Sequence, residues 1–431
     1  MTRFVVSGRR AADICDAIEQ AIRDGEVGPG DQLPTVRALA DELGVSPTTV
    51  AAAYRQLRQR GIISTHGRGG TRVHLRPPLD VPTSEPLPPD VRDLRVASPD
   101  PQVLPDRRGA MASVDVVAPE RADEDVPALI DLLAKDLLTD DVRADHLAIA
   151  PSAAAALGQV LDATLRPGDR IAIEDPADPI VRDLLTAEGY QLHPLAMDQR
   201  GVRPDRLDAV VRGPVNAVIL TPRAQDPTST AFDEERRAEL ISIVDQSPDL
   251  FVIERDPSGP VAGVNYRTIV TPDRERWAVL RSHGMGLGAD LDVTTIAGDA
   301  STVARVRGRQ VLAGGRVPTV MQRLYVELLG SDEVQRTLSL AARTYGARRL
   351  TFLAELRNRG IIAQGLSGPY VWLPVDREHQ VTDPLLDRGW AVTAGERFRL
   401  DAEPGLRIAT SRLTTDQARR LADDLLEVLA A

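Results

Sequence analysis

Residues 33–73 read LPTVRALADELGVSPTTVAAAYRQLRQRGIISTHGRGGTRV. Val36, Leu39, Ala40 and Leu43 recur at helical spacing, with Thr35 placed to cap the helix and Gly44 to stop it. Ser46 then caps a second helix, with Pro47 at the first helical position, where a missing N–H does no harm. Val50, Ala53, Tyr54 and Leu57 form its apolar stripe, and Gly61 ends it. GIISTHGRGGTRV predicts two short strands around a glycine-rich hairpin. Upstream, SGRRAADICDAIEQAIRDG predicts one more helix, capped by Ser7 and stopped by Gly25, with Ile14, Ala17, Ile18, Ala21 and Ile22 on one face. Cys15 lies on that face too and reads as a small buried hydrophobe.

Three helices, the last two joined by a tight turn, followed by a hairpin wing, form the winged helix-turn-helix plan. Its third helix would lie in a DNA major groove. Ser46, Thr48 and Thr49 are short donors at that helix's N-terminus, placed for phosphates or bases. Arg55 and Arg58 lie further along, toward phosphate. Arg68, at the hairpin tip, can enter a minor groove or grip the backbone, its glycine neighbours allowing close approach. Tyr54 reads as a core residue with its hydroxyl at the rim. The charge agrees: the chain as a whole carries −11, yet residues 1–76 hold 11 Arg against 8 Asp/Glu. No acidic residue falls between Glu42 and Asp80, a window with six arginines, His66 and His74. A basic patch on an acidic body is the footprint of a nucleic-acid contact.

At 431 residues the chain is long enough for two or three domains. Its 42% hydrophobic and 27% charged content is that of a soluble globular protein. No run reaches membrane-span length and no signal peptide opens the chain, so a cytoplasmic, bacterial-type protein is expected. The single cysteine excludes an intrachain disulfide and a cysteine-based metal cluster, and no metal is expected. Residues 77–92, PPLDVPTSEPLPPDVR, contain six prolines and predict an extended linker between a domain at 1–76 and a body at 93–431. In the body, RIAIEDP, QLHPLAM, AVILTP, LFVIERD, WAVLRSH and DVTTIAG read as buried strands with helices between some of them. That pattern predicts an α/β domain with a mostly parallel sheet covered on both faces. A long helical region, 317–358, is followed by YVWLPV, AVTAGERF and LRIATSR as strands and by a terminal helix, together a smaller α+β lobe.

The 33–73 stretch resembles the GntR family of bacterial transcription regulators almost end to end. The order and spacing of IAIEDPADPIVRDLLTAEGY, LTPRAQDPTSTAFDEERRAEL and LRSHGMGLGADLDVTTIAGD resemble fold-type I aminotransferases. Together they resemble the MocR branch of GntR regulators, which joins the two, and the likeness covers nearly all of residues 8–430. The resemblance implies that Arg37 clamps phosphate, that Ser46, Thr48 and Thr49 line the DNA, and that His66 and Gly67 of the wing touch the groove. Pro47 and Ala51 stand where the family often has arginine, which shifts specificity toward the wing or DNA shape. Double-stranded DNA and a second copy of the chain are the implied partners, with a small-molecule effector left open.

The resemblance also implies a pyridoxal phosphate (PLP) site. Such a site needs a lysine for the Schiff base, an acid on the pyridinium nitrogen, and donors for the phosphate. Here the lysine position is Met285, the acid is Arg255 and the ring-hydroxyl contact is Pro257. The asparagine and glycine of the NPTG stretch are Asp226 and Ser229. On the phosphate side the serine before the lysine is Gly284, the arginine after it is Asp292, and the glycine opening the phosphate-binding helix is Ser152. Pro227, Thr228, Gly288, Leu291, Gly298 and Asp299 stay. Arg407 stays at the position that grips a substrate carboxylate, either as an anchor for a ligand or in a structural ion pair, with Asp226 and Asp292 as candidate partners for it or for Arg255. Lys135 is the only lysine in the chain, and it reads as a solvated helix position. The expectation is a regulator whose body has no cofactor and no catalytic residue. Two alternatives stay open: a PLP-dependent regulator or aminotransferase using an unrecognised lysine, and an architectural DNA-binding protein of weak sequence preference.

Overall fold

The computed structural model describes residues 10–23, 27–28, 30–59, 62–65, 70–73, 87–117 and 124–430. His66, Gly67 and Arg68, and linker residues 77–86, lie outside the described residues. The chain divides into two compact units.

The N-terminal unit has helices α1 (Ala11–Arg23), α2 (Val36–Leu43) and α3 (Pro47–Gln59) and strands β1 (Ile63–Thr65) and β2 (Thr71–Val73). Thr35 Oγ1 accepts from Ala38 N at 3.2 Å, and Gly44 ends α2 with φ 63°, a conformation glycine adopts without a Cβ clash. β1 and β2 pair antiparallel, Ile63 opposite Val73. Ile14, Cys15, Ile18, Leu39, Val50, Ala53, Tyr54 and Leu57 form the core. Tyr54 is buried and its hydroxyl donates to Pro34 O at 2.8 Å, while the Cys15 thiol donates to Ala53 O at 3.3 Å. Both fill core positions, as the helical spacing predicts.

The body starts with strand β3 (Arg92–Asp93), inside the last residue of the predicted linker. Its further strands are β4 (Leu147–Ala150), β5 (Arg170–Asp175), β6 (Gln191–Asp198), β7 (Gly201–Val202), β8 (Ala217–Leu220), β9 (Phe251–Asp256), β10 (Trp277–Ser282), β11 (Thr294–Gly298), β12 (Tyr370–Pro374), β13 (Trp390–Ala391), β14 (Thr393–Ala394) and β15 (Gly405–Ala409). The large sheet runs β4-β11-β10-β9-β8-β5-β6-β7. β5, β8, β9 and β10 are parallel, while β11 is antiparallel to both neighbours, which makes the sheet mixed. Helices α4 (Arg107–Ser113), α5 (Pro127–Leu138), α6 (Ala153–Thr164), α7 (Pro179–Ala187), α8 (Pro204–Val211), α9 (Glu234–Val244), α10 (Gly284–Leu287) and α11 (Ala300–Ala313) accompany it. The predicted helical region 317–358 is two helices, α12 (Thr319–Leu329) and α13 (Asp332–Asn358). The smaller lobe is a three-stranded antiparallel sheet, β12-β15-β14, with α14 (His379–Asp387) and α15 (Thr415–Ala430). AVTAGERF is a strand only in part, since Gly395–Arg397 forms a 3-10 turn. There Glu378 takes the Glu396 amide at 2.7 Å, which ends the ladder.

Candidate functional site

In the N-terminal unit, α3 buries Val50, Ala53, Tyr54 and Leu57. Thr48, Ala51, Arg55 and Arg58, spaced by three and four residues, therefore share another face, with Thr48, Arg55 and Arg58 exposed. Ser46 Oγ lies 2.7 Å from Thr48 Oγ1 and 2.8 Å from Thr49 Oγ1 and accepts from Thr49 N at 3.1 Å. The three hydroxyls predicted from the sequence thus form one cluster at the positive end of the helix dipole. Arg37 is exposed in the first turn of α2.

In the body the second candidate site lies at the carboxyl ends of β5, β8, β9 and β10, the position open α/β sheets use for ligands. There the cations are paired within the chain: Arg407 with the expected Asp226, but Arg255 with Asp178 rather than with Asp226 or Asp292. Arg255 Nη2 donates to Asp178 Oδ2 at 2.9 Å. Arg407 Nη1 donates to both oxygens of Asp226, at 2.8 and 2.7 Å, and its Nη2 to Arg95 O at 2.6 Å. The Arg407 guanidinium packs on Tyr370 and Phe398, 4.4 and 4.5 Å from the ring centroids. Burial alone would lower its pKa, but the Asp226 carboxylate outweighs burial and holds it well above the usual arginine value.

Asp292 makes its own arrangement. Its Oδ1 accepts from Ser282 Oγ at 2.6 Å, and its Oδ2 from Ala153 N, the first residue of α6, at 3.4 Å. Ser152 caps that helix through Ala155 N at 3.1 Å. A Cβ at Gly284 would stand 3.1 Å from the Asp292 side chain, so the glycine gives the aspartate its room. Met285, in α10, is half-buried and packs against the body's main core. Pro257 follows β9 and is half-buried. Ser229 sits at φ 54°, and among the described residues its buried Oγ has no hydrogen-bond partner.

The aminotransferase-like fold implies PLP, and the side chains present do not fit it. Position 285 offers a thioether where an imine needs an amine. Lys135 is exposed in the last turn of α5. By the resemblance Arg255 is a cation where a pyridinium needs an acid, and Asp292 puts a carboxylate on the first amide of α6, where a dianionic phosphate needs donors.

Sequence reasoning missed Asp178, Ser282 and a charge cluster around the buried Asp256. Asp256 accepts from Arg223 at 3.0 and 2.8 Å and from Arg281 at 2.8 Å, and Arg281 also reaches Asp136 at 3.0 Å and Asp140 at 2.7 Å. The signal for the cluster was an arginine inside the apolar strand WAVLRS, since a charge there must be paired.

The family model described as "Bacterial regulatory proteins, gntR family" matches residues 10–73. The vitamin B6 salvage pathway transcriptional repressor PtsJ of Salmonella typhimurium is 33% identical over 429 residues, covering 99% of this chain and 100% of that protein. The chain belongs to the MocR branch of GntR-family regulators. This MocR-type protein is accordingly a DNA-binding transcription regulator. It is also 26% identical over 407 residues to the HTH-type pyridoxine biosynthesis transcriptional regulator PdxR of Corynebacterium glutamicum, covering 88% of this chain and 87% of that one. For the fold of the MocR body, an archaeal alanine:glyoxylate aminotransferase matches at TM-score 0.71 with 18% identity over 79% of this chain and 91% of that one. The multiple substrate aminotransferase of Thermococcus profundus matches at TM-score 0.73 with 17% identity, over 80% and 92%. Among the described residues no helix is long and apolar enough to cross a membrane.

Proposed function

We propose that this MocR-type regulator works without PLP and catalyses no reaction. The observation that carries the reading is the pairing of Arg255 with Asp178 and of Arg407 with Asp226, beside a methionine at the Schiff-base position. A cleft with its charges satisfied from within offers a coenzyme neither a covalent anchor nor a free counter-charge. The body then serves as a dimerisation platform, presenting two N-terminal units, residues 1–76 of each copy, to two DNA half-sites. The Pro-rich residues 77–92 act as the spacer. On the DNA side, Ser46, Thr48 and Thr49 reach bases or phosphates, and Arg37, Arg55 and Arg58 hold phosphate. His66, Gly67 and Arg68 extend the contact through the wing.

The names of PtsJ and PdxR make promoters of vitamin B6 genes the first operators to try. The test has two arms. The purified protein, incubated with PLP, is scanned at the violet edge of the visible, and no internal-aldimine band is expected. The same preparation is titrated with promoter and scrambled duplexes at several salt concentrations. A band that borohydride bleaches, leaving the coenzyme fixed to the chain as a covalent adduct, sinks the coenzyme-free reading. Equal affinity for both duplexes points instead to an architectural DNA-binding protein.

A further inference from the structure

Arg407 has the surroundings of a carboxylate-binding group. It is 8% exposed, and both oxygens of one carboxylate sit on a single terminal nitrogen, at 2.8 and 2.7 Å. Two aromatic rings pack against its guanidinium, and the buried Nε has no hydrogen-bond partner among the described residues. The carboxylate it holds belongs to the chain itself.

Asp226 is delivered by the loop that follows β8. Ala224 and Ser229 bracket that loop at φ 52° and 54°, a left-handed region that non-glycine residues enter only when their surroundings over-determine it. The loop is tied down on both sides of Asp226. Gln225 Oε1 accepts from Thr228 N at 2.9 Å, and Ser229 O accepts from Leu366 N and Ser367 N at 2.8 and 2.9 Å. Asp292 is likewise satisfied within the chain, its carboxylate against the first amide of α6 and the Ser282 hydroxyl.

We propose that the cleft is liganded from within: Asp226 is a plug carried by the strained loop 224–229, and it excludes small external carboxylates from Arg407. The inference rests on the coenzyme-free reading of the body. Its consequence is that deleting the plug creates a site of defined chemistry, a pocket for one carboxylate group with a buried arginine at its base.

The full-length Asp226→Ala protein is melted in sodium acetate or formate, with sodium chloride of equal ionic strength and neutral acetamide as controls. The variant is expected to melt below wild type. Acetate should raise its melting temperature in step with the logarithm of its concentration, by about 2 °C at a tenfold excess over Kd. Chloride and acetamide should not, and neither wild type nor the Asp226→Ala/Arg407→Ala double variant should respond to acetate. The plug is overturned if folded Asp226→Ala shows no carboxylate-specific rise, or if wild type rises as much. Should Asp226→Ala fail to fold, Asp226→Ser carries the same comparison and the same overturning result. A failed rescue with no PLP band in wild type sinks the plug alone, whereas a PLP band in wild type sinks the reading beneath it.

Discussion

Met285 shows how much one side chain decides and how much it does not. As a half-buried thioether packed on the main core, it is a hydrophobe in a hydrophobic place. Met285→Lys restores an amine but leaves Arg255, Asp178 and Asp292 as they are. An anion about 4 Å from a phosphate costs several kcal/mol even at an effective dielectric of ~20. The variant is therefore expected to show no aldimine absorbance with PLP, and a clear band at micromolar coenzyme would prove the neighbouring charges harmless. Arg37→Ala is expected to weaken binding to every duplex alike and to reduce the salt slope by about 1, as loss of one phosphate contact does. Unchanged affinity would remove Arg37 from the interface. The residues of this site were picked out by their place in the resemblance, which gives the type of each side chain. For Arg407 the sequence also offered the partner, as one of two, Asp226 or Asp292, and the fold selects Asp226. For Arg255 it did not: Asp178 lies 77 residues away, and only the folded chain pairs them.

Local signals account for most elements. The caps at Thr35 and Ser46 and the stop at Gly44 lie where the spacing puts them, and the strands of the large sheet follow their apolar runs. The departures come from tertiary competition or from brief stop signals. Region 317–358 breaks at Gly330 and Ser331, where Ser331 caps Val334 N at 3.4 Å and restarts the helix. GERF turns away from its ladder because Glu378 captures its backbone. Asp299 joins α11 to the sheet. It accepts from Thr302 N at 2.9 Å and Thr302 Oγ1 at 2.6 Å, and from Trp277 N, at the start of β10, at 3.2 Å. Asp299→Ala is expected to cost about 1–2 kcal/mol in urea denaturation. A loss of a few tenths or less would assign the cap no role in holding α11.

At the scale of the whole molecule, two buried glutamates are expected to shape the response to pH near neutrality. Burial pushes both Glu174 and Glu254 up to about 7, although Glu174 accepts from Thr221 N at 2.9 Å and Glu254 from Tyr266 Oη at 2.7 Å and Ile269 N at 2.6 Å. Both folded values exceed the unfolded one, so the stabilisation is complete below about pH 4.5 and fades as pH rises through about 7. Melting temperature is expected to fall between pH 5 and 8, each glutamate contributing on the order of 2 kcal/mol. Glu174→Gln should flatten its share, and a variant curve parallel to wild type would show that Glu174 does not titrate there. The two ion pairs of the cleft have another consequence. Reversing them one substitution at a time passes through chains with a single stranded charge, and breaking a buried pair that way costs about 3–5 kcal/mol. That is a large fraction of the 5–15 kcal/mol that typically keeps a domain native. A chain caught between the two arrangements keeps its native state only on the margin that the rest of the body supplies.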